Sequence, residues 1–519
     1  MNTWTKPAAA MAALAAVALV AGCGSGTGAA AGGSGPAAVK ADNNLVIGRT
    51  VAVDGMSGDS CYGAGSISTM PMIYGNLLTN KPDGSGVQPG LAASYDYDAA
   101  ARTYTFQLRP DAGFSDGSPV TAADVAFSFE QWRDGKTSGS YYDMIKSAEA
   151  TGEHTVVVHL TRPDTFLPAL LTWCTSTVYP DRYAGKSPEK FFADPIGAGP
   201  FAFVSWQNPG PSETITLKKN PHYYGAAQGE PHVDTVVVKT SADAAQQMLA
   251  FQGGQLDLIE GLTADEGNQL APEQARIPKP SQARDLMLNA KRPALADVNL
   301  RRAISAAIDR EALASVQQGY VVPAAGMLPT NVPNSVPPTT PYTYDLAAAK
   351  ALMARRADQK PVTLTLGFEG SSSTLSTMAQ LLRDQLAKIG VEVTLKPSDS
   401  ATVYSQGSSG DFDMLISDLS AISPTVFDPI SFVVAAWSPW TGADGALLKE
   451  KFTTGTSSTD DSVKDAAVRA IQDDAQAQST VIGMVNMSTA FAVAGYVEGF
   501  TATPFLSWDA ATVKIRTGS

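Results

Sequence analysis

The sequence has few of the residues that most catalytic and metal sites require. Its 519 residues include only three cysteines and four histidines. No CxxC or HExxH motif occurs, so we expect no zinc site. A P-loop and the glycine fingerprint of a dinucleotide site are also absent, and Gly58-Asp59-Ser60 lacks the flanking pattern of a hydrolase nucleophile. We therefore expect a protein that is not an enzyme and holds neither a cofactor nor a metal.

Positive charge is also scarce. Lys and Arg number 37 against 50 Asp and Glu, which gives a net charge of −13. Nucleic acids and anionic membrane surfaces bind proteins through basic patches, so neither is expected as the main partner. Hydrophobic residues make up 44% of the chain, enough for a sizeable core. The length is typical of two to four domains.

The N-terminal segment has the pattern of an export signal. An apolar run from Ala8 to Val20 is shorter than the ~20 residues that a membrane-spanning helix needs. Small residues then precede Cys23, as a lipoprotein signal peptidase requires. We expect residues 1–22 to be removed and Cys23 to be lipidated; the alternative is an ordinary secretory signal beside a chance cysteine. Residues 23–44 are rich in Gly, Ala and Ser and are typical of a flexible tether.

The two remaining cysteines are Cys61 and Cys174. Exported proteins fold in an oxidising compartment, so a disulfide between them is the favoured prediction. Two free buried thiols are the alternative. A redox pair is disfavoured because the chain has no CxxC motif.

Strand and helix patterns alternate along the rest of the chain. Residues 103–108 alternate polar and apolar side chains, and residues 156–158 and 236–238 are valine runs that indicate short buried strands. Apolar residues between positions 300 and 308 follow the spacing of one helix face. Residues 361–395 predict strand, helix and strand, with Gly390 after the helix, a connection that favours parallel pairing. The fold class is therefore mixed α/β.

Several sequence blocks carry a resemblance to a known family. They lie in the family's order, namely Tyr74–Leu78, Pro89–Tyr95, Thr103–Arg109, Phe114–Val125, Gly197–Phe201, Lys219–Tyr224, Gly254–Asp257, Asp297–Arg310 and Tyr344–Leu352. From about Leu45 to Val513 the chain resembles the family 5 extracellular solute-binding proteins. These are the oligopeptide, dipeptide and nickel-binding components of ABC importers. Most of these blocks have turn and helix-cap chemistry, such as Thr121 with Asp124, and we expect them to be scaffold.

The resemblance implies a two-lobed clamshell, the fold of periplasmic binding proteins. The first lobe would comprise residues 45–275 and 500–519, with an inserted subdomain near residues 85–190. The second lobe would comprise residues 276–499. A small solute would bind between the lobes, and the closed protein would deliver it to ABC permease and ATPase subunits. We expect a monomer that is lipid-anchored at the extracytoplasmic face of the cell membrane.

The resemblance also indicates which part of the second lobe would recognise the solute. In peptide-binding relatives, an Asp of the second lobe pairs with the peptide amine shortly before an acidic-Pro pair. This chain has Asp428-Pro429, but the only acid in the preceding loop is Asp418, which lies early. An oligopeptide is still the favoured solute. Oligosaccharides, other organic solutes and metal chelates are alternatives, as is a non-transport lipoprotein in signalling or envelope assembly.

Aromatic residues in loops at the lobe edges are further candidates for ligand contact. They are Tyr62, which lies in the loop after the first strand, Trp437 and Trp440, which follow the variable loop, and Trp508, which precedes the last strand. Such side chains combine a flat apolar face with a polar handle, and this suits peptide side chains or sugars. Packing in the core or at the rim is the alternative for each of them.

Overall fold

The structure is a computed structural model. It describes residues 39–518 except 62, 137, 263, 318–320, 371, 436–444 and 506. The signal segment 1–22, Cys23 and most of the tether therefore lie outside the described residues. So do three of the aromatic candidates, namely Tyr62, Trp437 and Trp440.

The described residues alternate strands and helices along the chain. The strands are β1 Asn44–Arg49, β2 Leu78–Asn80, β3 Val87–Pro89, β4 Ala92–Asp98, β5 Thr103–Leu108, β6 Ile145–Ala150, β7 Thr155–Leu160, β8 Phe201–Gln207, β9 Thr214–Lys219, β10 Thr235–Thr240, β11 Leu258–Leu262, β12 Ala275–Arg276, β13 Gln282–Leu288, β14 Val321–Pro323, β15 Val362–Glu369, β16 Val391–Ser398, β17 Met414–Ser420, β18 Val481–Met487, β19 Ala490–Val493, β20 Val497–Glu498 and β21 Lys514–Ile515. The helices are α1 Ala64–Tyr74, α2 Ala122–Arg133, α3 Leu167–Leu170, α4 Pro188–Ala193, α5 Ala244–Gln252, α6 Ala264–Gly267, α7 Val298–Ala307, α8 Arg310–Ala314, α9 Leu346–Ala354, α10 Ser373–Ala387, α11 Ser400–Ser409, α12 Phe427–Ala435, α13 Gly445–Thr456 and α14 Asp461–Gln478.

The larger of the two main sheets has seven strands in the order β12-β19-β11-β1-β10-β9-β8. β1 lies at its centre and runs parallel to β10 and β11. The valine run predicted at residues 236–238 forms the middle of β10, where it pairs with residues 45–47 of β1. Leu45 and Ile47 are fully buried in a core that also contains side chains of α1. A central β1 places the residues that follow it at the sheet's carboxyl edge.

The second main sheet has six strands in the order β14-β18-β13-β17-β15-β16. β15 runs parallel to β16 and to β17, so the parallel pairing predicted within residues 361–395 is confirmed. α10 connects β15 to β16 and buries Met378, Leu382 and Leu386. Gly390 follows this helix with a φ of 78°, the left-handed conformation common just past a helix end.

A smaller sheet occupies the inserted segment, in the order β4-β5-β7-β6. The strands predicted at residues 103–108 and 156–158 pair here as β5 and β7. α2 precedes β6 and begins with the predicted capping box, in which Asp124 Oδ2 accepts hydrogen bonds from Thr121 N (2.7 Å) and Oγ1 (2.6 Å). These residues are scaffold, as their turn and cap chemistry indicates.

Two short connections join the main sheets. Residues 277–281 lead from β12 of the seven-stranded sheet to β13 of the six-stranded sheet, and residues 488–489 lead back from β18 to β19. β19 thus belongs to the seven-stranded sheet, although its residues fall within the range 276–499. Both connections lie beside the strand ends that form the candidate site.

Candidate functional site

The candidate site lies at the carboxyl ends of the parallel strands, where α/β proteins bind ligands. In the seven-stranded sheet these are the ends of β1, β10 and β11, and in the six-stranded sheet the ends of β15, β16 and β17. The connection at residues 488–489 joins the two edges. Gln282 at the start of β13 donates a hydrogen bond to Thr489 in this connection, so the second sheet meets it at the same place.

A cavity of about 440 Å³, open solvent included, lies at this edge of the seven-stranded sheet. The end of β1, the first turns of α1, the end of β11 and the connection to β19 enclose it. The lining residues are Arg49, Thr50, Val51, Ala64, Gly65, Ser68, Glu260, Gly261, Thr489 and Phe491. We call it the edge cavity.

Arg49 at the end of β1 fixes the wall of the edge cavity. Its guanidinium is 3.0 Å from Glu213 Oε1, and it donates to Gly65 O (2.7 Å) and Thr69 Oγ1 (2.6 Å) of α1. Glu213 Oε1 also accepts a hydrogen bond from Val53 N (2.8 Å) in the loop after β1. Arg49 is 2% exposed. Its charge is therefore neutralised within the protein, and its role is to bind α1 to the end of β1.

Glu260 on β11 is the acid of the edge cavity. Its Oε1 accepts a hydrogen bond from Trp508 Nε1 (2.6 Å), and its Oε2 accepts one from Ser68 Oγ (3.0 Å). Burial raises the pKa of Glu260, against the attraction of Arg49 and these two hydrogen bonds. Within the described part of the chain, no Lys, Arg or His side chain forms a salt bridge with it.

Trp508 lies in the core beside the seven-stranded sheet. It is 8% exposed, and its ring packs 5.3 Å from that of Phe500. One side of Trp508 lines a second cavity of about 1110 Å³, open solvent included, between the C-terminal half of α1 and residues 499–512. Trp508 is not among the residues that line the edge cavity, and it reaches that cavity through its hydrogen bond to Glu260.

Asp418 lies on β17 of the six-stranded sheet, opposite Arg284 of β13. Arg284 Nε and Nη2 donate to the two carboxylate oxygens of Asp418 at 2.7 and 2.9 Å. The Arg284 side chain is 9% exposed and that of Asp418 is 38% exposed. Because Arg284 already binds both oxygens, a solute amine at Asp418 would compete with a bidentate ion pair.

The acidic-Pro pair at Asp428 stabilises the loop that precedes α12. Asp428 Oδ2 accepts hydrogen bonds from Ile422 N (2.6 Å), Ser423 N (2.8 Å) and Ser423 Oγ (3.1 Å). Burial raises the pKa of Asp428 to about 8, although these hydrogen bonds oppose the rise. The Asp428 carboxylate is thus turned inward and organises the loop between β17 and α12.

The loop between β1 and α1 is tied to the inserted segment. Cys61 and Cys174 form a disulfide, with their Cα atoms 6.1 Å apart. Gly58 N donates to Tyr179 Oη (2.7 Å), and Ser138 N donates to Asp59 Oδ1 (2.9 Å). This loop starts at the edge cavity. These bonds hold it against the end of α2 and the residues after α3.

A second contact joins the inserted segment to the part of the chain that contains the six-stranded sheet. Thr165 N and Oγ1 donate to Thr456 O at 2.6 and 2.9 Å, and Ser457 Oγ donates to Pro163 O (3.0 Å). The rings of Phe166 and Phe452 meet edge to face, 6.0 Å apart. We call residues 163–166 with 452–458 the closing contact, because it joins the two parts through side chains and backbone hydrogen bonds rather than through the chain connections.

Three residues of the candidate site are not among those predicted from the sequence, namely Arg49, Glu260 and Arg284. A usable signal existed for Glu260, because it follows the recognised Gly254–Asp257 block by three residues and lies near the end of a strand. No sequence signal paired Arg284 with Asp418, since that pairing depends on the register of two strands 134 residues apart.

Two further observations on the described residues concern metal binding and membrane crossing. They include no cluster of three or more His, Cys, Asp or Glu side chains arranged to hold a metal ion. Within the same residues, no helix has the length and apolar character needed to cross a membrane.

Comparisons with known proteins define the family. The family model for "Bacterial extracellular solute-binding proteins, family 5 Middle" matches residues 86–444. The probable D,D-dipeptide-binding periplasmic protein DdpA of Escherichia coli is 29% identical over 377 residues, which are 69% of this chain and 70% of DdpA.

Solved structures share the architecture over nearly the whole chain. The dipeptide binding protein from Pseudoalteromonas sp. SM9913, in complex with Met-Leu, gives a TM-score of 0.81 at 18% identity and covers 91% of this chain and 100% of its own. AgaA from A. tumefaciens R10, in complex with agropinic acid, gives 0.78 at 24% identity and covers 92% of this chain and 99% of its own.

The two connected sheets and the similarity to these structures define a periplasmic-binding-protein fold. The protein is therefore a binding protein and not an enzyme. More particularly, the chain belongs to the bacterial extracellular solute-binding proteins of family 5, and it is the extracytoplasmic solute-binding component of an ABC importer. The fold and the family expected from the sequence are confirmed.

Proposed function

We propose that the protein captures an oligopeptide between two lobes and delivers it to the permease and ATPase subunits of an importer. The observation that carries this proposal is the edge cavity, which lies at the carboxyl edge of the seven-stranded sheet and is lined in part by Thr489 of the connection to the second sheet. Two relatives support a peptide, since DdpA is named for D,D-dipeptides and the Pseudoalteromonas protein holds Met-Leu. When the lobes close, the bound solute would itself make contacts to both of them.

The proposed lobes comprise residues 45–275 with 500–519 and residues 276–499, and the inserted subdomain comprises residues 85–190. The sheet topology supports this division, because each main sheet is built almost entirely from one range. β19 is the exception, so we place the second crossing between the lobes at residues 488–489. The closing contact would then hold the inserted subdomain of the first lobe against the second lobe.

We further propose that the protein is a monomer held at the extracytoplasmic face of the cell membrane by a lipid on Cys23. The small residues before Cys23 and the Gly-, Ala- and Ser-rich segment after it support an anchored, tethered protein. Replacement of Cys23 by Ser in a bacterial host tests this. The Cys23→Ser variant should move from the membrane fraction to the medium or periplasm, whereas retention of the variant in the membrane would contradict the lipid anchor.

A different solute class has one specific observation in its favour. Asp418 lies earlier than the acid that binds a peptide amine in relatives, and its carboxylate already binds Arg284 through both oxygens. AgaA shows that this fold also takes agropinic acid. An opine-like organic acid is therefore the second candidate for this chain, ahead of oligosaccharides and metal chelates.

Thermal unfolding of the chain that starts after Cys23 distinguishes these classes. The panel contains di- to hexapeptides, opines, oligosaccharides, and nickel with its chelates. A solute that binds only the native state stabilises it by about 2.7 kcal/mol at a hundredfold excess over Kd. A shift with peptides alone supports the proposal. A shift with another class and none with peptides replaces the proposed solute.

A further inference from the structure

The edge cavity has an unbalanced charge. Of its ten lining residues, Arg49 and Glu260 are the ionisable ones. Arg49 is neutralised by Glu213 and also donates hydrogen bonds to α1 and β10. Glu260 has hydrogen-bond donors but no cationic partner in the described part of the chain. Arg49 attracts the Glu260 carboxylate from the same cavity, but its own salt bridge is to Glu213, so a partly buried carboxylate without a salt-bridge partner is left to favour a ligand that brings a positive charge.

Two hydrogen-bond donors of the protein fix the position of the Glu260 carboxylate. Trp508 donates to one oxygen and Ser68 donates to the other. A carboxylate can accept about four hydrogen bonds, so about two remain for a ligand. Access from the side of Gly261 is open, since a β-carbon there would meet no atom within 4 Å. The hydroxyl-bearing residues Thr50 and Thr489 also line the cavity.

Other carboxylates near the strand ends are already engaged. Both oxygens of Asp418 bind Arg284, and the bonded oxygen of Asp428 accepts three hydrogen bonds within its own loop. Asp54 after β1 accepts hydrogen bonds from Gly63 N (2.6 Å) and Ser66 Oγ (2.9 Å) at the start of α1. Of these four acids, Glu260 is therefore the one whose position leaves it available to a solute.

We infer that Glu260 binds the ammonium group of the solute, so that the protein selects solutes with a free amino group and anchors that group in the proposed first lobe. This inference rests on the proposed function and assigns the recognition of the amine to β11 rather than to Asp418. Trp508 and Ser68 are positioning residues, because they orient the carboxylate through their hydrogen bonds. A charge-assisted contact of this kind contributes about 1.5–3 kcal/mol, which corresponds to about a 10- to 100-fold change in affinity.

The test compares two peptide libraries by isothermal titration with the chain that starts after Cys23. One library contains di- to hexapeptides with free amino termini, and the other contains the same peptides N-acetylated. The wild-type protein should bind the free library about 10- to 100-fold more tightly than the acetylated one. Glu260→Gln should reduce this preference to near unity, and Glu153→Gln, which removes an exposed acid in the β6–β7 turn, should retain it.

Equal binding of both libraries by the wild-type protein would overturn the role of Glu260 and leave the peptide function intact. A preference that survives in Glu260→Gln would also overturn it. Binding of neither library would contradict the peptide function and, with it, this assignment. The comparison of the two libraries needs no substitution, so the inference remains testable even if Glu260→Gln fails to fold.

Discussion

At the residue scale, the charged side chains near the strand ends serve mainly to position the site. Arg49 binds α1 to β1, Arg284 binds Asp418, and Asp428 binds its own loop. Burial of a charged group is costly unless it is paired, which explains why Arg49 and Arg284 each have an acidic partner. The exceptions are acids whose pKa values are raised by burial, and these make stability depend on pH.

Asp428 provides the clearest pH dependence. Its folded pKa of about 8 lies above the ordinary value of 3.8, so the native state retains a proton that the unfolded chain loses, and stability falls as pH rises from about 4 to 8. Asp428→Asn stays neutral and keeps an acceptor oxygen. At pH 8 the free energy of unfolding of the variant should therefore exceed that of the wild type by on the order of 2–4 kcal/mol. Urea denaturation at pH 5 and pH 8 measures the difference.

Asp411→Asn is the matched control for this measurement, because Asp411 is exposed at the turn before β17. The control should follow the pH profile of the wild type. Parallel profiles for the wild type and Asp428→Asn would mean that Asp428 is ionised in the folded protein.

The Arg284–Asp418 pair makes a second prediction at this scale. Asp418→Asn leaves the buried guanidinium without its counter-charge, and we expect a loss of about 1–3 kcal/mol in unfolding free energy. Chemical denaturation measures the loss of unfolding free energy. Titration with a peptide that the wild-type protein binds measures the affinity in parallel. Unchanged stability together with a large loss of affinity would instead make Asp418 the partner of the solute amine.

At the scale of elements, the loop after β1 is the link between the edge cavity and the inserted segment. The disulfide closes a sequence separation of 113 residues between this loop and the 3₁₀ turn at Cys174–Ser176. Hydrogen bonds from Gly58 and Ser138 stabilise the same junction. The end of β1 and the inserted segment therefore behave as one support for the site.

Removal of the disulfide should weaken this support. The double variant Cys61→Ser/Cys174→Ser should lose about 2–4 kcal/mol of unfolding free energy, because cross-linking lowers the entropy of the unfolded chain. The measurement is urea denaturation of the oxidised protein and the variant, with dithiothreitol-treated wild type for comparison. Identical midpoints for all three samples, or native thiols that react with iodoacetamide, would contradict the cross-link.

Secondary-structure elements and contacts between them differ in how well the sequence predicts them. β15, α10 and β16 were predictable because their apolar residues change period from two to 3.6 and back, and local pattern decides such elements. The environment of Trp508 was not predictable in the same way, because its hydrogen bond to Glu260 joins residues 248 positions apart. The bidentate pairing of Asp418 depends likewise on strand register. Local sequence thus predicts elements, whereas the partners within the site come from long-range pairing.

At the scale of the whole molecule, the two main sheets are joined by two short connections and by the closing contact. The proposed motion is a rotation of the lobes about residues 277–281 and 488–489. A solute gains affinity when the closed arrangement is already favoured, because an unfavourable closing step reduces apparent affinity. The closing contact should therefore influence binding without touching the solute.

Phe452→Ala tests this influence, since Phe452 packs against Phe166 in the closing contact. The variant should bind the same solute about 5- to 20-fold more weakly, as loss of about 1–2 kcal/mol of contact shifts the lobes towards the open state. Leu447→Ala is the control, because Leu447 lies on the same helix, α13, and is exposed. Titration calorimetry measures both variants. Equal affinities for Phe452→Ala and the wild type would exclude the closing contact from solute capture.

The most direct test of the central claim is native mass spectrometry of the chain after Cys23, mixed with an equimolar library of di- to tetrapeptides. We expect a one-to-one adduct of the monomeric protein with a subset of these peptides, and loss of the adduct when the same peptides are N-acetylated. An adduct with opines or sugars but none with peptides would contradict the proposed solute. Absence of any adduct across all classes at concentrations up to about 1 mM, where Kd corresponds to about −4 kcal/mol, would contradict solute capture itself.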